Sequence, residues 1–322
     1  FFVNNIEIIK KKSSNLETLA DEAIKKGFNE LINKILLKTD IKKLDNLNFS
    51  QIKNLISYYQ IIETDKINNN ENKIVFNLNF DQEKIHNLFH NRNILYSNVS
   101  QSELYLLPVL KKDDQIFIYT QNFFYDNWNK TNDNKFVEFI LPIENIEIIQ
   151  IFNLNSKDLL QVDTQSVFKE YKNKNLAIVI IEEKNSKIDK VFLKTFIMGK
   201  KISKNIIVKD SNLSQIELKK KIILEIKEEI VNLVKSQNLI DIRTPSFINV
   251  KLMSLSSNNL VELKQRLNKL ELIENIYIQE LNSDYTTLKL KYLGKINKII
   301  RQLESENIIL ELINDEWNLS II

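Results

Sequence analysis

The chain has 322 residues, with 45 Lys+Arg against 42 Asp+Glu and a net charge of +3. With 0 Cys it holds no disulfide framework, thiolate metal site, iron–sulfur cluster or thiol nucleophile. Its 3 Gly, at Gly27, Gly199 and Gly294, exclude a glycine-rich phosphate loop, and the balanced charge argues against a strong nucleic-acid or anionic-membrane binder.

Three units of alternating strand and helix patterns are expected in series, over residues 1–93, 94–242 and 243–322, giving an α+β or α/β class. In the first, residues 2–10 read as a strand. Ser14-x-x-Glu17 has the form of a capping box before an amphipathic helix through Ile35. Gly27 interrupts that apolar stripe, and close approach to a sheet would compensate its roughly 1 kcal/mol helix penalty. Residues 58–67 and 73–80 then form a strand pair around a polar turn at 68–72, and Asp81 caps a short helix through His90.

The second unit opens with a strand at 104–110 containing Pro108, a second at 116–120, an aromatic cluster at Phe123, Phe124, Tyr125 and Trp128, and a third strand at 136–143. A helical stretch over 146–171 follows. The continuous apolar run at 176–182 is that of a central, doubly covered strand. Antiparallel partners at 190–198 and 202–209 come next, and Ser214-x-x-Glu217 opens a long helix.

In the third unit the order is strand 247–255, helix 258–270, strands 273–281 and 285–293, helix 295–306, and a strand pair at 308–313 and 316–321. That is βαββαβ, the ferredoxin-like split motif. Period-2 alternation turns Ile248, Val250, Leu252, Ile276, Ile278, Leu288 and Leu290 toward the helices. The opposite face carries Asn249, Lys251, Tyr277, Gln279, Lys289 and Lys291.

Three stretches taken together carry a resemblance. They are the opening strand with the helix over 15–37; Leu106-Leu107-Pro108-Val109-Leu110 with the aromatic segment 122–128 and Ile140-Leu141-Pro142; and Leu288-Lys289-Leu290-Lys291-Tyr292-Leu293-Gly294 ahead of the last helix. In this order the chain resembles the bacterial family of domain of unknown function 2066 (DUF2066). It departs from the family pattern at Asn122-Phe123-Phe124 and at Glu144-Asn145. The family has no assigned activity, so the resemblance supplies no catalytic residues. It implies an exported, periplasmic or envelope-associated protein, and the absence of Met at Phe1 fits a removed signal peptide. No run approaches the ~18 apolar residues of a membrane helix.

Catalytic patterns are thin. His86 and His90 are four apart on one helix face, as a metal pair requires, with Asp81 or Glu83 as a third ligand; the sequence between them lacks the glutamate of an HExxH motif, and a solvated face is the default reading. Asp113-Asp114, Glu182-Glu183 and Glu228-Glu229 could supply acid–base chemistry but have no visible apolar pocket. No serine sits on a glycine-flanked turn. Lys10-Lys11-Lys12 and Lys219-Lys220-Lys221 read as ordinary surface charge.

The expectation is therefore a non-catalytic binding or scaffold protein with no cofactor and no metal, whose partner is another envelope protein and not a nucleic acid. The expected partner surface comprises Trp128, Lys251, Tyr277, Gln279, Lys289 and Lys291. Two alternatives stay open. One is a hydrolase with a pocket in the central unit lined by Trp128, Glu144 and a buried carboxylate. The other is a nucleic-acid binder using the last sheet, where base stacking would need aromatics.

Overall fold

A computed structural model describes residues 1–10, 15–63, 73–97, 102–131, 136–171, 173–185, 187–207, 213–253, 257–282 and 284–321. Ser14, Lys11, Lys12 and the expected turn at 68–72 lie outside them. The fold is mixed α and β, with several small sheets each backed by helices.

From the start of the chain, β1 (Phe2–Ile9) turns Val3, Ile6 and Ile8 inward. The helix α1 (Leu16–Ile35) is capped by Asn15, whose Oδ1 accepts from the Thr18 amide at 2.8 Å. Two short helices, α2 (Lys38–Ile41) and α3 (Phe49–Lys53), lead to β2 (Ile56–Glu63) and β3 (Lys73–Phe80). These strands form an antiparallel sheet in the order β1-β3-β2. At Gly27 α1 comes so close to the sheet that a Cβ would lie 2.1 Å from Leu78 Cδ1, which is the compensation the sequence calls for. Asp81 Oδ1 accepts from the Lys84 amide at 3.0 Å and starts α4 (Gln82–Asn91), followed by the short β4 (Tyr96–Ser97).

The central elements are β5 (Ser102–Lys112), β6 (Gln115–Phe117), α5 (Phe123–Asn127), β7 (Val137–Ile140), α6 (Ile146–Leu154), α7 (Thr164–Val167), β8 (Asn175–Lys184), β9 (Lys187–Ile197), β10 (Lys200–Ile206) and α8 (Gln215–Gln237). The sheet runs β10-β9-β8-β5-β6, and β7 also pairs with β5, parallel. One face packs on α5 and α8 through Leu104, Leu106, Val179 and Ile226. The other packs on α6 and α7 through Leu107, Val109, Ile178 and Phe152. The unit thus has three layers.

Pro108 sits in the middle of β5, where a missing N–H would ordinarily break a ladder. On the side away from β8, β7 pairs with residues 102–105 and β6 with 110–112, so Pro108 falls in the gap between them. The buried Asn122 fills that gap. Its Nδ2 donates to the carbonyls of Pro108 and Ile118, each at 2.8 Å, and of Phe117 at 3.1 Å. Those bonds draw Ile118 and Tyr119 out of the strand register, so the strand expected over 116–120 ends at Phe117.

The helix expected over 146–171 is broken. Asp158 Oδ1 accepts from the Leu160 amide and Asp163 Oδ2 from the Ser166 amide, at 3.0 and 3.2 Å. Such short polar side chains compete with the helical ladder and restart the chain as separate turns.

The return segment holds β11 (Leu239–Ile240), β12 (Ser246–Met253), α9 (Ser257–Leu267), β13 (Ile273–Leu281), β14 (Tyr285–Tyr292), α10 (Ile296–Ser305), β15 (Ile308–Ile313) and β16 (Glu316–Ile321). The sheet order is β13-β14-β12-β16-β15. The βαββ part follows the split arrangement expected from the sequence. Beyond it, the final hairpin places β16 beside β12, in parallel, and leaves β15 at the edge.

Compactness groups the chain into two units, Phe1–Ser97 with Leu239–Ile322, and Asn98–Asn238. The segments read from sequence as first and third units share one hydrophobic core, from Ile6 and Phe28 to Leu290 and Leu303. Residues 96–97 and 239–240, read from sequence as the two ends of the second unit, pair antiparallel as β4 and β11 and belong with this core.

Candidate binding face of the five-stranded sheet

The strict alternation of β14, buried at Thr286, Leu288, Leu290 and Tyr292, turns Tyr285, Thr287, Lys289 and Lys291 to the opposite face. Register carries the pattern sideways. Lys289 stands opposite Asn249 of β12 and Tyr277 of β13, and Lys291 opposite Phe247 and Asn275. Among the described residues no helix covers this face: Phe247 is 51% exposed and Tyr277 46%.

The lysines lie over the aromatic rings. Lys289 Nζ is 4.7 Å from the Phe247 ring centre and Lys251 Nζ 4.6 Å from that of Tyr285, within cation–π range. Carboxylates accompany them. Lys291 is 2.8 Å from Glu274, which raises its ammonium pKa above the ordinary value, and Lys251 is 3.5 Å from Glu316. The face is a mosaic of half-exposed rings and matched charges.

Of the expected surface residues, Lys251, Tyr277, Lys289 and Lys291 are brought together here, and Gln279 lies exposed at a bulge of β13 between Ile278 and Glu280. Trp128 is a correction. It belongs to the other unit and is fully buried, edge-on to Phe139 at 6.0 Å in the core beneath α8. An aromatic cluster followed by a short helix has enough apolar area to be drawn inside, whatever its place beside a loop. Ile278 is the second correction. It has the inward parity but is 53% exposed, because β13 is the outermost strand. Phe247 and Tyr285 went unnamed in the sequence reading, although the same parity that selects Lys251 and Lys289 selects them.

The other candidates separate. His86 packs between the rings of Phe1 and Tyr96, at 5.7 and 5.4 Å, and its Nε2 finds no hydrogen-bond partner among the described residues. Burial lowers its pKa, against the opposing pull of Glu274. His90 is exposed, and among the described residues no cluster of three metal-ligating side chains forms. Asp113 and Asp114 make the β5–β6 turn, Asp113 with a φ of 51°. Glu183 is buried and held by Lys219 at 2.8 Å, and Glu229 pairs with Lys204 at 2.5 Å. Glu144 lines a cleft of about 190 Å³ with Pro142, Ser166, Lys169 and Tyr171. Neither Trp128 nor Glu183 lines that cleft, so the trio required by the hydrolase alternative is not assembled there.

No protein-family model, no curated protein and no solved structure matches the chain.

Proposed function

We propose that the protein is a non-catalytic binding protein that docks a protein partner on the open face of its five-stranded sheet. The observation that carries this reading is the group Phe247, Lys289 and Tyr277: Lys289 lies over the half-exposed Phe247 ring and stands opposite the half-exposed Tyr277, on a face that leaves both rings open. Aromatics held rigidly on strands make effective anchors because little side-chain freedom is lost on docking. Paired charge favours a protein over a nucleic acid. Lys291 and Lys251 are matched by Glu274 and Glu316, whereas a phosphate backbone calls for uncompensated cations. The placement in a bacterial envelope, with an envelope protein as partner, is part of the proposal and rests on the resemblance to DUF2066.

The test places a photo-crosslinking residue at Asn249 in the full chain, in cells. A single stoichiometric adduct that disappears in the Phe247→Ala background supports the reading. No adduct, or an adduct indifferent to Phe247→Ala, overturns it, as does salt-sensitive binding of single-stranded RNA by the purified chain.

A further inference from the structure

We infer that the outer edge of β13, over residues 275–278, accepts a short extended peptide with basic ends by strand addition. The inference rests on the binding-protein reading above but uses the strand edge beside that face, with Tyr277 common to both.

β13 pairs with β14 and, among the described residues, has no strand on its other side. Such an edge presents unpaired N–H and C=O groups, and proteins commonly guard it with lysine or proline. The edge strand β10 of the central sheet follows that rule with Lys200, Lys201 and Lys204. The sequence of β13, Ile-Glu-Asn-Ile-Tyr-Ile-Gln-Glu-Leu, contains no lysine, arginine or proline. It also exposes Tyr277, Ile278 and Leu281. Alternate side chains of an added strand would meet Tyr277 on one face and Ile278 on the other.

Two bulges set the length. Register shifts between Ile273 and Asn275, and between Ile278 and Glu280, make residues 275–278 the longest uninterrupted stretch of pairing, which resumes only at Glu280 and Leu281. A window of that size fits a short linear peptide better than the edge of another sheet. Charge decides between a second copy of this chain and a different partner. Antiparallel self-pairing about Tyr277 would set Glu274 of each copy against Glu280 of the other, like charges face to face. Glu274 already shares its charge with Lys291. Among the described residues Glu280 accepts from neutral donors, the Asn282 amide and the Tyr285 hydroxyl, each at 3.2 Å. With Glu274 just before the window and Glu280 just after it, the complement is a segment with an apolar middle and a cation at each end.

The experiment titrates a labelled peptide, valine alternating with threonine and a lysine at each end, into the full chain by fluorescence anisotropy. Expected are saturable binding, roughly tenfold loss on N-methylating alternate peptide amides, and about fivefold loss with Glu280→Lys. Phe247→Ala should leave this binding unchanged, so failure of the edge and failure of the face can be told apart. Hydrogen exchange on the complex should slow at residues 275–278. Absence of binding overturns the inference. So do equal binding of a glutamate-ended twin, tolerance of N-methylation, or a concentration-dependent dimer of the unsubstituted chain that protects residues 275–278 from exchange.

Discussion

Replacing Gly27 with alanine sets two opposed effects against each other. Alanine gains about 1 kcal/mol of helix propensity over glycine. The new methyl would meet Leu78 Cδ1 at 2.1 Å and Ile6 Cγ1 at 3.7 Å. Leu78 is 1% exposed on the middle strand of the β1-β3-β2 sheet, so its side chain moves only by displacing other core atoms. Overpacking of this kind costs about 1–3 kcal/mol. Gly27→Ala should therefore destabilise the protein by about 1 kcal/mol net, and Gly27→Val by more, since β-branching forfeits part of the propensity gain. The sign should reverse once the obstacle is removed. Leu78→Ala alone leaves a cavity worth about 2–5 kcal/mol. In that background Gly27→Ala should recover about 1 kcal/mol or more. Urea denaturation of the four chains yields the coupling energy directly. A Gly27→Ala variant stabilised by the full helix-propensity increment, with no coupling to Leu78, would refute the close-approach argument.

Three further outcomes are expected. His86 has a pKa lowered by burial, so the unfolded chain takes up the proton first. Its stabilising contribution is present above the ordinary value of 6.5 and is lost as pH falls through the lower folded value. Thermal melts should show that acid-side loss diminished in His86→Phe. Asn122→Ala removes the donor to three carbonyls and the cap on the Phe124 amide; buried groups left unpaired in this way should cost about 2–4 kcal/mol by chemical denaturation, and Asn122→Leu should fare no better. Burial brings Lys235 down from 10.5 to about 8 despite the nearby Glu228. Stability should rise as pH climbs from about 8 toward 10.5, where the unfolded chain still holds that proton. Lys235→Met should flatten this rise and add about 1 kcal/mol at neutral pH, measured by denaturation at both pH values.

Turn chemistry was legible only once the structure showed where the turns are. With 3 Gly in the chain, asparagine and aspartate take most of the left-handed positions: Asn93, Asp113, Asn173, Asn185, Asn307, Asn314 and Asp315 all have positive φ. Asparagine tolerates that region better than other side-chain-bearing residues because its short polar group bonds locally. Part of the chain's asparagine content therefore has a structural use. The candidate face was legible by parity, since Lys251, Lys289, Lys291 and Tyr277 all follow from alternation. Phe247 was available from the same rule. Trp128 was not, because an aromatic next to a loop has the same local pattern whether it ends in the core or on the surface.

Local periodicity and capping residues determined the kind and the inward face of most elements by themselves. α8, β8, β12 and β14 are examples, because a 3.6- or 2-residue repeat and an N-cap are complete within a few neighbours; α1 keeps its periodic face but takes its cap from Asn15 where the sequence pattern points to Ser14. Only tertiary structure decided which strands meet. The shared core of residues 1–97 and 239–322, the gap in which Asn122 serves Pro108, the insertion of β16 between β12 and β15, and the exposure of Ile278 on an outer strand all depend on competition between segments far apart in sequence. A pattern that tells a strand which side to bury carries no information about which neighbour will be present to bury it.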